Sequence, residues 1–178
     1  TAVKVMWEIA NDNQKKWNGL SSVFKECTKY EDEYQRVRAS VKPMKQAMNR
    51  IPDIISVKEL GNYLDRLGNQ TILERVSIDE EMIKFSYKTP LIRDCLLDAG
   101  CLLELHTYYE RVESGRYSDC RVGVHIDWDG EINGREIDVE NEIDVMLLEG
   151  VVPVFISCKN GRVNQMALYE LDAVANRF

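Results

Sequence analysis

Apolar positions recur at helical spacing through the first part of the chain and at alternate positions through much of the second. The opening segment, "TAVKVMWEIANDNQKKW", reads as an amphipathic helix. "NGLSS" interrupts that pattern near residues 18–22, and Ser22 with Glu26 marks the start of a second helix running towards Arg50, with a disturbance at Pro43. "SVKELGNYLDRLG" places Val57, Leu60, Leu64 and Leu67 on one face of a short helix that Gly68 stops. "TILERVSIDEEMIKFSY" alternates around an acidic turn and predicts a β-hairpin.

From Thr89 the pattern changes. "TPLIRDCLLDAGCLLELHTYYERV" predicts a helix with Pro90 in its first turn and a bend at Gly100. "DCRVGVHIDWDG" is a strand with Val122, Val124, Ile126 and Trp128 on one face. "DGEINGREIDVE" reads as an acidic loop or long hairpin. "NEIDVMLLEGVVPVFISCKNG" is a tight hairpin, and "VNQMALYELDAVANRF" an amphipathic helix. This order predicts an α/β fold in two parts: residues 1–88, a helical connector resembling a winged helix, and residues 89–178, a layered α/β domain around an antiparallel hairpin.

The hairpin poses a chemical question. With Glu149–Gly150 as its turn, Asp144 faces Phe155, Glu142 faces Ser157 and Glu140 faces Lys159, all on one side of the sheet. Asp144 and Ser157 are then diagonal neighbours. The opposite side, with Ile143, Val145, Leu147, Val152, Val154 and Ile156, is core. An ordinary half-exposed hairpin with cross-strand ion pairs accounts for this pattern. So does a site for a hard cation such as Mg²⁺ or Mn²⁺, which takes oxygen ligands, with the Lys159 ammonium beside it.

Charge sharpens the contrast between the parts. Of 178 residues with net charge −7, residues 1–89 hold 15 Lys and Arg against 13 Asp and Glu, a net +2. Residues 90–178 hold 8 against 17, a net −9, concentrated between Asp119 and Glu149. The balance of +2 gives no basic stripe, and the helix near 56–67 is therefore read as packing or dimerisation rather than nucleic-acid binding. Five cysteines without a CxxC pair point away from a disulfide framework or structural zinc site, towards a reducing, cytoplasmic setting. No apolar run approaches a membrane span. Thr1 stands where an initiator methionine would, and the chain is expected to be a piece of a longer protein, trimmed at both ends.

An acidic residue on a helix, an Asp on a strand and (D/E)-x-Lys on the next strand is the PD-(D/E)xK nuclease pattern, here Glu104, Asp144 and "SCK" at 157–159. The phrases "GCLLELHTYY", "VGVHIDW", "NEIDVML", "FISCKNG" and "ALYELDAVANRF" resemble the nuclease domain of the CARF-containing CRISPR-associated ancillary nucleases, over about residues 85–178. That resemblance implies a restriction-endonuclease-like PD-(D/E)xK core. It implies Glu104 and Asp144 as metal ligands, Lys159 as the catalytic lysine, and Mn²⁺ or Mg²⁺ as cofactor. It further implies hydrolysis of DNA or RNA with low sequence specificity, control by a cyclic oligoadenylate through a sensor domain outside this chain, and a homodimer. Ser157 departs from the pattern, which has a carboxylate there; Glu142 and the backbone carbonyls of Ile156 and Cys158 are candidates to fill the gap.

Other residues have blander readings. His106 lies roughly 200° around the helix from Glu104; His125 faces the acidic side of its strand; the Cys158 side chain is inert core. Tyr108 and Trp128 are packing residues, and Asp127, Asp129 and Asp138 solvate a loop. Two rivals remain: a repair or restriction-type nuclease of the same superfamily, and a non-catalytic nucleic-acid-binding or dimerisation protein.

Overall fold

The computed structural model describes residues 1–51, 56–127 and 140–177. Among these residues it is a mixed α/β structure with two three-stranded antiparallel sheets, divided into two compact units, Thr1–Leu102 and Leu103–Phe178. No helix among the described residues is long and apolar enough to cross a membrane.

Unit 1 begins with α1 (Ala2–Asp12), capped by the Thr1 side chain, and α2 (Gln14–Cys27), capped by Asn13. The break expected at "NGLSS" is absent. Gly19, Leu20 and Ser21 are buried, so tertiary packing outweighs the weak local propensity, and the Ser22 hydroxyl donates to the Asn18 carbonyl within the helix. The long helix expected to reach Arg50 is also absent. A 3-10 turn at Thr28–Tyr30 leads to a loop in which Asp32 Oδ1 accepts from the Tyr34 and Arg36 amides, and Gln35 takes a left-handed φ of 58°. The carboxylate thus offers the backbone an alternative to helix.

β1 (Arg36–Ser40) follows, with Val37 and Ala39 buried, and then α3 (Val41–Met48). Pro43 falls in the first turn of α3, where its missing N–H removes no intrahelical bond. α4 (Val57–Asn69) opens with a capping box between Ser56 and Glu59 and buries Leu60, Leu64 and Leu67, as the spacing predicts. It runs one residue past Gly68.

The predicted hairpin is β2 (Leu73–Ile78) and β3 (Met82–Tyr87). Asp79 closes its turn by accepting from the Glu81 and Met82 amides. β1 adds on the far side of β3, giving the order β1-β3-β2. A bulge interrupts β2 between Glu74 and Ser77. Beneath the sheet Phe24, Phe85 and Tyr87 form a buried aromatic cluster, with ring centroids 5.5 Å apart for Phe24–Phe85 and 5.3 Å for Phe85–Tyr87.

The single bent helix expected after Thr89 is two, α5 (Pro90–Leu97) and α6 (Ala99–Glu113). Asp98 between them is extended, and its carboxylate accepts from the Gly100 amide, so the break precedes the glycine.

Unit 2 takes most of α6, a meander of β4 (Asp119–Asp127), β5 (Glu140–Glu149) and β6 (Val152–Ile156), and α7 (Gln165–Ala175). Ile143, Val145 and Leu147 of the central strand are buried, whereas Val152 of the expected core face is exposed. Trp128, Asp129 and Asp138 lie outside the described residues.

Candidate functional site

The β5–β6 register differs from the expected one by two residues. Glu149 pairs with Val152 and Val145 with Ile156, so the loop is Gly150–Val151, with Gly150 at φ 63°. A left-handed φ at the first loop residue is where glycine is favoured. A slip of two keeps every side chain on its face. It replaces the expected diagonal of Asp144 and Ser157 with direct apposition, one step beyond the last pair of β6.

Asp144 is the centre of this polar face. Its Oδ2 accepts from the Ser157 hydroxyl at 3.3 Å, the Cys158 amide at 2.5 Å and the Lys159 ammonium at 3.5 Å. β6 ends at Ile156, and the chain turns so that three consecutive residues reach one carboxylate oxygen. The Asp144 side chain is 14% exposed and that of Lys159 42%, so the anion is largely sheltered while the cation stands at the mouth.

These residues line a cleft of about 260 Å³ between the end of the sheet and α7. Glu142 and Asp144 of β5, Ser157 and Lys159 after β6, and Glu170 of α7 supply its polar wall; Ile143, Ile156, Leu171 and Val174 supply an apolar one. α7 is positioned by an Asn164 side-chain cap on the Ala167 amide, and Val174 is buried.

On the other side of β5, His125 pairs with Glu142, so its side chain belongs to the acidic face. Gly123 lies opposite Asp144, between the pairs Val122–Val145 and Val124–Ile143. Its φ of 62° favours glycine, and a Cβ there would meet nothing within 4 Å. The β4 side of Asp144 therefore carries no side chain. A glycine within an alternating strand is the signal that marks this position in the sequence.

From α6, Thr107 accepts a weak bond from the Cys158 thiol at 3.7 Å, while its own hydroxyl donates to the Leu103 carbonyl. Glu104 lies one turn before Thr107 on the same side of α6. Burial pushes the Cys158 thiol above its ordinary range, the Thr107 bond pulls it back, and the negative charges of Asp144 and Glu104 push it further up. Cys158 is thus a protonated thiol at neutral pH, and what it offers as a ligand is its backbone carbonyl. Glu104 and Asp144 are both within electrostatic reach of the Cys158 thiol, but Glu104 is not among the residues lining the cleft. Thr107 and Gly123 are the members that sequence reasoning missed. Tyr108 packs edge to face on Tyr109, with centroids 5.3 Å apart.

Among the described residues no three His, Cys, Asp or Glu side chains are gathered closely enough to hold a metal ion. The donors in the cleft are nonetheless oxygens, as a hard cation requires.

No protein-family model matches the chain, and no curated protein matches it either. Solved structures do match, and what they share with it is the α/β fold across nearly its full length. The crystal structure of protein VC1899 from Vibrio cholerae superposes with a TM-score of 0.61 at 16% identity, over 97% of this chain and 42% of that one. Can2 from Sulfobacillus thermosulfidooxidans, solved in complex with cyclic tetra-adenylate, superposes with a TM-score of 0.53 at 17% identity, over 98% of this chain and 41% of that one. The chain thus spans about two fifths of the length of each.

Proposed function

We propose that the chain is part of a metal-dependent endonuclease of the PD-(D/E)xK type, hydrolysing phosphodiester bonds with low sequence specificity in CRISPR-linked defence. The observation that carries this reading is the meeting of Lys159 with Asp144 across the hairpin, at the mouth of an oxygen-lined cleft. Two further supports are the phrases that resemble those of the CARF-containing ancillary nucleases and the fold likeness to Can2, a protein solved with a cyclic oligoadenylate. Control by such a ligand through a further domain, and action as a homodimer, belong to the same proposal.

Mg²⁺ commonly keeps several waters and takes one or two carboxylates plus substrate phosphate oxygens rather than a full protein cage. Glu104 and Asp144 are of the type that suits that manner of binding, with Glu142 and the Cys158 carbonyl as further candidate ligands. When bound, a Mn²⁺ or Mg²⁺ ion would acidify water and polarise the phosphoryl group. The chain's own residues do the rest. Lys159 meets the charge that builds on the phosphorus oxygens, an electrostatic role worth most in a sheltered cleft. Ser157 and the Cys158 amide hold the Asp144 carboxylate in one orientation. Gly123 leaves room on the β4 side for a polymer backbone.

Asp144→Asn is the direct test. Losing the ion's hold is worth several kcal/mol, so cleavage of single- or double-stranded substrate with Mn²⁺ should fall about a thousandfold or more. Affinity for the same nucleic acid in EDTA should hold or rise, because one repulsive charge is gone. Undiminished cleavage by this variant, or by the native chain in excess EDTA, would refute the reading.

A further inference from the structure

The sheet of unit 1 has a second face. Val37, Ala39, Ile83 and Phe85 turn inward and are buried. The alternate positions face the other way and include three cations: Arg36, which pairs with the buried Ser86, and Arg38, which lies directly across from Lys84. Arg75 joins them from the β2 bulge, and the group borders a shallow groove of about 120 Å³ floored by Ser86.

Three features of this face work against stability. Like charges directly opposite on paired strands destabilise a sheet, as Arg38 and Lys84 must. Arg75 holds a left-handed φ of 54°, unfavourable for a residue with a Cβ. Neighbouring carboxylates are otherwise engaged: Asp32 holds Arg36 at 2.7 Å and its own turn, and Asp79 closes the β2–β3 turn while lying in electrostatic reach of Lys84. Glu74, paired with Ser86, is the remaining acid on the face. Arg38, Arg75 and Lys84 are exposed and make no ion pair among the described residues. A bulge is a common device for re-aiming a side chain, and here it brings a third cation to the other two.

We propose that this face binds the phosphate backbone of a nucleic-acid strand. The clustered charges of Arg38, Arg75 and Lys84 beside one groove complement backbone phosphates, and the anion offsets the Arg38–Lys84 repulsion. The choice of nucleic acid as partner rests on the nuclease reading, but the binding needs neither metal nor the cleft of unit 2.

The experiment uses the full chain in EDTA and fluorescence anisotropy of a labelled single-stranded DNA across a salt series. In R38A/R75A/K84A, affinity should fall at least about tenfold at low salt. The slope of log K against log salt should shrink by about 2, near 0.7 for each phosphate that is no longer neutralised. Its melting temperature should hold or rise as the like-charge pair disappears. If the triple variant does not fold, Lys84→Gln alone should still lower the slope by about 0.7, the share of a single phosphate. A peptide nucleic acid of the same sequence, whose backbone is neutral, should not bind. Native affinity and slope in the folded variant would overturn the proposal, as would equal binding of the neutral probe, or binding of phosphatidylserine vesicles in place of DNA. Loss of binding in the variant alongside a native chain that never cleaves would retain this face and refute the nuclease reading; unchanged binding with normal cleavage would do the reverse.

Discussion

The two units distribute their apolar residues in opposite ways. In unit 1 the side chains of Met6, Leu20, Phe24, Met44, Leu60, Leu64 and Phe85 are essentially inaccessible to solvent, packed from helices and sheet into one core. In unit 2 the fully buried apolar side chains among the described residues are Ile143, Val145, Leu147 and Val174, while Val151, Val152, Met166, Leu168 and Tyr169 are exposed. The polar groups differ in setting rather than in shelter. In unit 1 the Glu31 carboxylate, 9% exposed, is held by the Arg93 guanidinium, whereas in unit 2 Asp144 gathers three donors beside a cleft. Burial of apolar area is the main source of folding free energy, so unit 1 carries the larger share of it, while unit 2 holds the candidate site.

Lys159→Ala should sharpen that division most. Removing one electrostatic stabiliser at a reacting phosphate lowers turnover by about a hundredfold or more. The lysine is 42% exposed, and Asp144 keeps its other two donors, so thermal unfolding should change little. A well-folded variant with native cleavage would end its catalytic assignment.

Phe85→Ala should act the other way. It opens a cavity beside Phe24 and Tyr87 and should destabilise the chain by about 3–5 kcal/mol, read as a lower urea midpoint. A shift under about 1 kcal/mol would mean the aromatic cluster is not the stabilising element claimed for unit 1.

The smallest effect concerns Glu59. The Ser56 backbone bond, then the Lys16 ammonium at 3.0 Å, hold its carboxyl down to about 2. A depressed carboxyl adds stability above its ordinary pKa and loses it as pH falls through the folded value. The melting temperature of Glu59→Gln should therefore lie below native at neutral pH and converge with it between about pH 4.5 and 2. Being exposed, the group should move it only slightly.

How much of this was legible depends on what decided each element. Where alternation or helical spacing met a single competing force, the pattern sufficed: α4, the β2–β3 hairpin and the faces of β5 all follow from residue order. Where a side chain captured the backbone, it did not. Asp32 diverts the chain before β1, and Asp98 splits α5 from α6, through bonds that no periodicity encodes. α2 crosses "NGLSS" because its small residues are buried by partners distant in sequence. The gathering of Asp144, Ser157 and Lys159 was readable because strand alternation assigns the face; their direct apposition was not, because it depends on which two residues make the loop.

That loop carries a lesson for insertions and deletions. Adding one residue at Gly150–Val151 inverts the parity of everything downstream, turning Ser157 and Lys159 from Asp144 towards the apolar layer. Adding two preserves parity and merely slides the lysine along the same edge. Length variation at this turn is thus governed by odd and even numbers rather than by size, and a protein engineer lengthening it should do so in pairs.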